Sequence, residues 1–177
     1  MTYIKQRQKI NFKEGKEAEY FFRKWTGAED APDELERHHV DCIWQGYNVD
    51  VKGLKNCHIN GYVLVEFRTV DGRAGWAANG SKADLIAFQF PEGFYVVKRE
   101  ELFRLAQSKV LSNPSSPRGG EAIRQNKIGA SAGLYLPIGR SGRKDVFTYI
   151  LKEDLLELTH VLINETSRTD RLGERSR

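Results

Sequence analysis

The sequence predicts an α/β (α+β) fold in which a central mixed β-sheet is flanked by helices. Three observations lead there. An amphipathic helix opens the chain, a series of short strand-like runs follows, and helical periodicity returns only after those runs. Helices placed before and after a sheet can cover both of its apolar faces. A chain of 177 residues suits one domain, and folding would bury roughly 70% of the surface its unfolded form exposes, enough for a core without disulfides.

The elements follow in order. Over residues 13–25 the apolar side chains Ala18, Phe21, Phe22 and Trp25 recur at i, i+3, i+4 and i+7, the buried stripe of one helix. Residues 27–37 are acidic and contain Pro32, which predicts a loop or a short extra turn. Strand-like runs then occupy 40–44, 48–52, 61–69, 84–90 and 93–97, separated by turn residues, and together predict the central sheet. Helical spacing resumes over 98–108 through Leu102, Leu105 and Ala106. Residues 146–151 read as a further strand and 153–162 as a short helix. The expected organisation is a single domain over 1–163, with its core at about 13–97, a basic segment at 107–144 and the last strand and helix at 146–162. The polar stretch 164–177 is expected to be a disordered tail.

Composition narrows the setting. The cysteines are Cys42 and Cys57 alone, and residues 1–16 are charged with no apolar centre, so neither a disulfide scaffold nor a secretory signal is indicated. No apolar run approaches the roughly 20 residues that span a bilayer. The expectation is a cytoplasmic protein, in the host cytoplasm if phage-encoded, with no membrane partner. The formal net charge of +4 is compatible with a polyanionic partner. Residues 107–144 concentrate it, with Lys109, Arg118, Arg124, Lys127, Arg140, Arg143 and Lys144 against Glu121.

The chemistry begins with Asp50 and Lys52. On a strand, side chains alternate between faces, so Tyr47, Val49 and Val51 share one face while Asn48, Asp50 and Lys52 share the other. The acid and the amine are then about 6.6 Å apart at Cα, two strand rises. Hydrolysis of a phosphodiester needs a cation to neutralise the phosphate and a water held in line, which carboxylates and a nearby ammonium can arrange. Asp41, on the preceding strand, supplies a second carboxylate if residues 45–47 turn the chain back. The backbone carbonyl of Val51 completes an oxygen set. A third acid is expected from the first helix, where Glu17 and Glu19 lie on opposite flanks of the apolar stripe and periodicity does not choose between them.

These residues resemble the PD-(D/E)xK, or restriction-endonuclease-like, nuclease superfamily, and in particular its small Holliday-junction-resolvase-like and phage-type members. The helix phrase Gly15-Lys16-Glu17-Ala18-Glu19-Tyr20-Phe21-Phe22 is similar to the G-x-x-A-E-x-x-F helix of resolvase-like members, which favours Glu19. His39-Val40-Asp41 stands in the place of the PD motif, with Val40 where proline is usual, and Asp50-Val51-Lys52 matches the (D/E)xK triplet. The resemblance covers about residues 13–97. It implies a restriction-endonuclease-like core and an endodeoxyribonuclease dependent on Mg²⁺ or Mn²⁺. Asp41, Asp50, Glu19 and the Val51 carbonyl would then ligate metal, and Lys52 would orient or activate the attacking water. DNA, branched DNA included, is the implied partner, and a homodimer is a candidate assembly. The alternatives are a catalytically inactive nuclease-fold module that binds nucleic acid, or a subunit of a larger phage or repair assembly.

Other groups compete. Glu14-Gly15-Lys16 has the same triplet form but lies at the start of a helix, where solvated charges are the ordinary account. Glu66 and Asp84 are lesser acidic candidates. His38, His39, Cys42, Cys57 and His58 invite a zinc reading, but adjacent histidines on a strand point to opposite faces, and a core Cys42 with exposed histidines is preferred. Trp76 is expected in the core rather than on nucleic acid. Lys127, Arg140, Arg143 and Lys144 are the candidate phosphate contacts, because glycine-freed amides and cations converge over 139–144.

Overall fold

Two β-sheets and the helices around them form the fold. The computed structural model describes residues 3–109, 138–139 and 142–168. Its elements run α1 (Tyr3–Thr26), β1 (Glu29–Asp30), α2 (Asp33–Glu36), β2 (Cys42–Trp44), β3 (Tyr47–Lys52), α3 (Asn56–Ile59), β4 (Tyr62–Arg68), β5 (Leu85–Phe90), β6 (Gly93–Lys98) and α4 (Arg99–Lys109). They continue with β7 (Ile138–Gly139), β8 (Val146–Leu151), α5 (Lys152–Glu157), β9 (His160–Ile163) and a 3₁₀ turn (Glu165–Arg168). The larger sheet has the order β1-β2-β3-β5-β6-β9 and the smaller one β4-β8-β7. Only β3 and β5 pair in parallel within the larger sheet; its other ladders are antiparallel. The architecture is the expected mixed sheet flanked by helices.

Each face of the large sheet has its own cover. Ala18 and Phe22 of α1 pack on Cys42, Trp44, Val49, Val51, Ala87, Phe94, Val96 and Ile163. Phe22 meets Trp44 and Phe94 edge to face, with ring centroids 6.0 and 5.3 Å away. On the other face Ile86, Phe88, Phe90, Tyr95 and Val97 pack against Val63 and Val65 of β4, Ile150 of β8, and Leu102 and Ala106 of α4. Both faces of β5 are therefore buried, as its near-continuous apolar sequence requires.

Three expectations are corrected. The run at 61–69 does not join the central sheet: β4 pairs with β8 in the second one, because its Val63 and Val65 serve as a lid over the large sheet rather than as a strand within it. The helix expected over 153–162 ends at Glu157, and His160–Ile163 forms β9, antiparallel to β6. Val161 and Ile163 are β-branched and fit the pleat, and the β6 edge supplied partners that sequence spacing does not reveal. His58 is not exposed: it is buried with Nδ1 2.7 Å from the Gln89 carbonyl oxygen, stacked on Phe90. Burial pushes its pKa down to about 4.

Boundaries moved elsewhere. The first helix begins earlier than residue 13, and the acidic stretch after it folds into β1 and the single turn α2. Glu165–Arg168 packs against α1, and residues 169–177 lie outside the described residues. Among the described residues no helix is long and apolar enough to cross a membrane.

Phe22 is fully buried and joins α1 to β2 and β6 through the rings of Trp44 and Phe94. Phe22→Ala is expected to cost about 3–5 kcal/mol, read as a lower urea midpoint with an unchanged slope.

Candidate active site

The site is created by a difference in strand length. Gln45 and Gly46 form a two-residue hairpin turn, both with positive φ (54° and 83°), the twist that a tight antiparallel hairpin prefers. The register pairs Trp44 with Tyr47, Ile43 with Asn48 and Cys42 with Val49. There β2 stops, so Asp50, Val51 and Lys52 outrun it. Asp41, just before β2 rather than within it, donates its N–H to the Val49 carbonyl at 2.8 Å. Its carboxylate then takes the place of the missing ladder partner: the Val51 N–H donates to Asp41 Oδ2 at 2.7 Å. Backbone polar groups alternate in direction along a strand, so the Val51 carbonyl faces this same edge.

Asp50 and Lys52 project to the other face of the sheet from α1. Asp50 pairs with Ile86 and Lys52 with Phe88 on β5, so both charged side chains enter the layer between the two sheets. Lys52 Nζ lies 2.7 Å from Asp50 Oδ2. The contact is an ion pair outside hydrogen-bonding angles, so that buried oxygen has no hydrogen-bond donor among the described residues. Lys52 Nζ also sits 4.5 Å from the centroid of the Trp76 ring. Trp76 is in the core, as expected, and is at once the ring against which the ammonium lies.

The first helix comes closest where β3 ends. A Cβ on Gly53 would lie 3.1 Å from the Glu14 carbonyl oxygen and 3.3 Å from the Ala18 Cβ, so small residues on both sides let α1 reach the site. Glu17 is exposed while Glu19 is only 7% exposed. Glu19 Oε2 accepts a 2.8 Å hydrogen bond from Lys16 Nζ; Arg23, its i+4 neighbour, pairs instead with Asp30. Burial raises the Glu19 pKa despite Lys16, and the charge of Asp41 adds to the rise. The Asp41 carboxyl is pushed up to about 6, chiefly by burial and then by Asp50 beside it.

Two of the four sequence-predicted side chains therefore share one edge as neighbouring acids, Asp41 and Asp50, with Lys52 against the second. Glu19 senses Asp41 but is held by Lys16. Among the described residues no three His, Cys, Asp or Glu side chains stand close enough to hold a metal ion. Asp41 and Asp50 nevertheless fit a divalent cation: they are neighbouring acids, one half-buried and one buried, that repel each other, one oxygen lacks a hydrogen-bond donor, and the Val51 carbonyl is a third hard oxygen at the same edge.

Several other residues lie near the site. His39, with a left-handed φ of 58°, is exposed, as expected; its pKa is lowered by partial desolvation and then by Lys52, while Glu66 and Asp41 act in the opposite sense. Glu66 thus belongs to the surroundings of the site, whereas Asp84 Oδ2 accepts the Asn48 N–H and serves the sheet. Cys42 is buried, its thiol pushed up to about 12, and packs in the core. Lys16 and Trp76 are the partners that sequence reading missed; Lys16 is the i−3 neighbour of Glu19, a spacing at which helical side chains meet. Arg143 and Lys144 are exposed, and Lys127 and Arg140 lie outside the described residues.

A carboxyl whose folded pKa exceeds its unfolded value of about 3.9 binds more protons when folded, so its contribution to stability falls as pH rises between those two values. For Asp41 that window closes at about 6. Asp41→Asn is expected to give a higher urea midpoint than wild type at pH 8, with the difference gone by about pH 4. Mg²⁺ or Mn²⁺ is expected to raise the thermal midpoint of wild type at pH 8 and to leave Asp41→Asn and Asp50→Asn unmoved. Compared with protein-family models, curated proteins and solved structures, the chain matches none, and the reading of the site rests on its geometry.

Proposed function

We propose that this chain is a metal-dependent endonuclease that hydrolyses DNA phosphodiester bonds at the edge where β3 outruns β2. The observation that carries the reading is the convergence of Asp41, Asp50 and Lys52: two neighbouring carboxylates on one edge, the buried one 2.7 Å from a lysine ammonium. The resemblance of these residues and of the Glu19 helix to PD-(D/E)xK nucleases supports it.

Asp41, Asp50 and the Val51 carbonyl would hold Mg²⁺ or Mn²⁺, which when bound neutralises phosphate charge and acidifies a water. Asp41 is anchored for this by the Val51 N–H and Asp50 by the strand itself. Lys52 presents its ammonium beside Asp50, where it orients the attacking water and meets the charge that grows on the phosphate oxygens. Glu19 faces the same edge and joins through water once Lys16 releases it.

A nucleic-acid track is proposed beside the site. Arg68 at the end of β4, Arg73 in the turn after it, and Arg143 and Lys144 before β8 are all exposed. Pairing of Arg68 with Val146 and the 3.3 Å bond from the Lys144 N–H to the Val70 carbonyl gather them at one corner of the second sheet. Asp71, 3.2 Å from Arg73, pairs with it there. Trp76, three residues after Arg73, connects this corner to Lys52.

The lack of a ready three-ligand cluster among the described residues favours one alternative, a nuclease-fold module that binds DNA without cutting it. Supercoiled plasmid, a four-way junction and a matched RNA, each with Mg²⁺, Mn²⁺ or EDTA, separate the two. The expected result is metal-dependent cleavage of DNA that falls roughly 100-fold or more in Asp50→Asn and in Lys52→Ala while binding persists. Binding with no cleavage in any metal would establish the module instead. For the corner, Arg68→Gln with Arg73→Gln is expected to reduce the salt slope of DNA binding in EDTA by about 1.8, two phosphate contacts at about 0.9 each.

A further inference from the structure

We infer that Trp76 is a positioning residue for Lys52: its indole face holds the lysine ammonium beside Asp50, and Arg99 holds the loop that delivers Trp76. The inference rests on the nuclease reading for its catalytic meaning, but the contact can be measured by itself.

An amine that must offer N–H groups to water and phosphate needs an anchor that takes none of them. A carbonyl or carboxylate anchor accepts a hydrogen bond and removes a donor; the face of an indole attracts the cation through its quadrupole and removes none. Lys52 Nζ lies 4.5 Å from the Trp76 ring centroid, inside the range of about 6 Å at which that attraction is felt. Trp76 is 7% exposed and the Lys52 side chain 18%, so water weakens the contact little. Asp50, which also contacts the ammonium at 2.7 Å, is the carboxylate required for an ion as well. Trp76 is the anchor that remains when Asp50 is engaged elsewhere.

The loop after β4 is built to hold that ring still. The Gly75 N–H donates to the Phe67 carbonyl at 2.9 Å and the Ala77 N–H to the Glu66 carbonyl at 3.2 Å, so the loop is bonded to β4 on either side of Trp76. A Cβ on Gly75 would fall 2.4 Å from the Glu66 carbonyl oxygen, which makes glycine obligatory at the close approach. From the opposite side Arg99, at the start of α4, donates to three loop carbonyls. Its Nε reaches Ala83 O at 2.7 Å, and its Nη1 reaches Ala77 O at 3.1 Å and Ala78 O at 2.9 Å. A cation bonded to three carbonyls of one loop has a planar donor fork matched to it. Phe88, the sheet partner of Lys52, flanks the indole with centroids 6.1 Å apart, so ring and ammonium are set by the same pair of strands.

The test uses the full chain. Reductive methylation with ¹³C-formaldehyde keeps the charge of lysines and gives each a resolved NMR signal, and Lys52→Arg identifies the signal of Lys52. The expected spectrum has that signal displaced upfield by the indole ring current in wild type, partly displaced in Trp76→Phe and undisplaced in Trp76→Leu. In cleavage assays Trp76→Leu is expected to lower kcat about tenfold with KM within about twofold, and Trp76→Phe to recover most of the loss. A role in packing alone predicts a lower melting temperature with kcat intact, and that result overturns the inference. An undisplaced Lys52 signal in wild type also overturns it, whether or not Trp76→Leu folds. If wild type cuts no nucleic acid, the nuclease reading falls, and the spectrum alone decides whether the indole holds Lys52.

Discussion

One hydrogen bond organises the candidate site: the Val51 N–H donating to Asp41 Oδ2 at 2.7 Å. It exists because β3 continues past the end of β2, which leaves a backbone donor on a buried strand without a ladder partner. A buried unpaired N–H costs about 1–3 kcal/mol, and a side-chain acceptor at the strand end removes that cost. The acceptor is a carboxylate, so satisfying the backbone also puts a negative charge next to Asp50. Structural need and chemical potential coincide in one residue.

The remaining charges follow from that placement. Two neighbouring acids, one buried and one half-buried, repel, and the chain surrounds them with cations held by separate means. Lys52 approaches from β3 itself with Trp76 behind it. Lys16 approaches from α1 and is bonded to Glu19. Neither bond satisfies Asp50 Oδ2 by hydrogen bonding. Desolvation and the neighbouring Asp50 together raise the pKa of Asp41, inside a fold that is otherwise closely packed on both faces of its main sheet. Such local instability is what functional sites commonly retain.

Positioning falls to elements far apart in sequence. Gly53 and Ala18 set the approach of α1 to the end of β3. The second sheet covers the face that carries Asp50 and Lys52, and its first strand is followed by the loop that bears Trp76. Arg99 ties that loop to the helix after β6.

Period and turn chemistry were enough to give the layered α and β character, the helix stripe, a turn over 45–47 and the sharing of one face by Asp50 and Lys52. Each is a local property, set by a period of 3.6 or 2 residues or by turn chemistry within a few positions. Glycine at 53 and alanine at 18 were visible too, although their meaning was not. Tertiary structure alone decided that β4 leaves the central sheet, that His160–Ile163 is a strand, that Glu19 answers to Lys16 and that Trp76 faces Lys52. Except for the Lys16–Glu19 pair, these depend on partners distant in sequence. Even that pair needed the fold: two cations lay within helical reach of Glu19, and Asp30 on β1 took Arg23. Periodicity says which face a residue occupies; only the packed neighbours say what waits there.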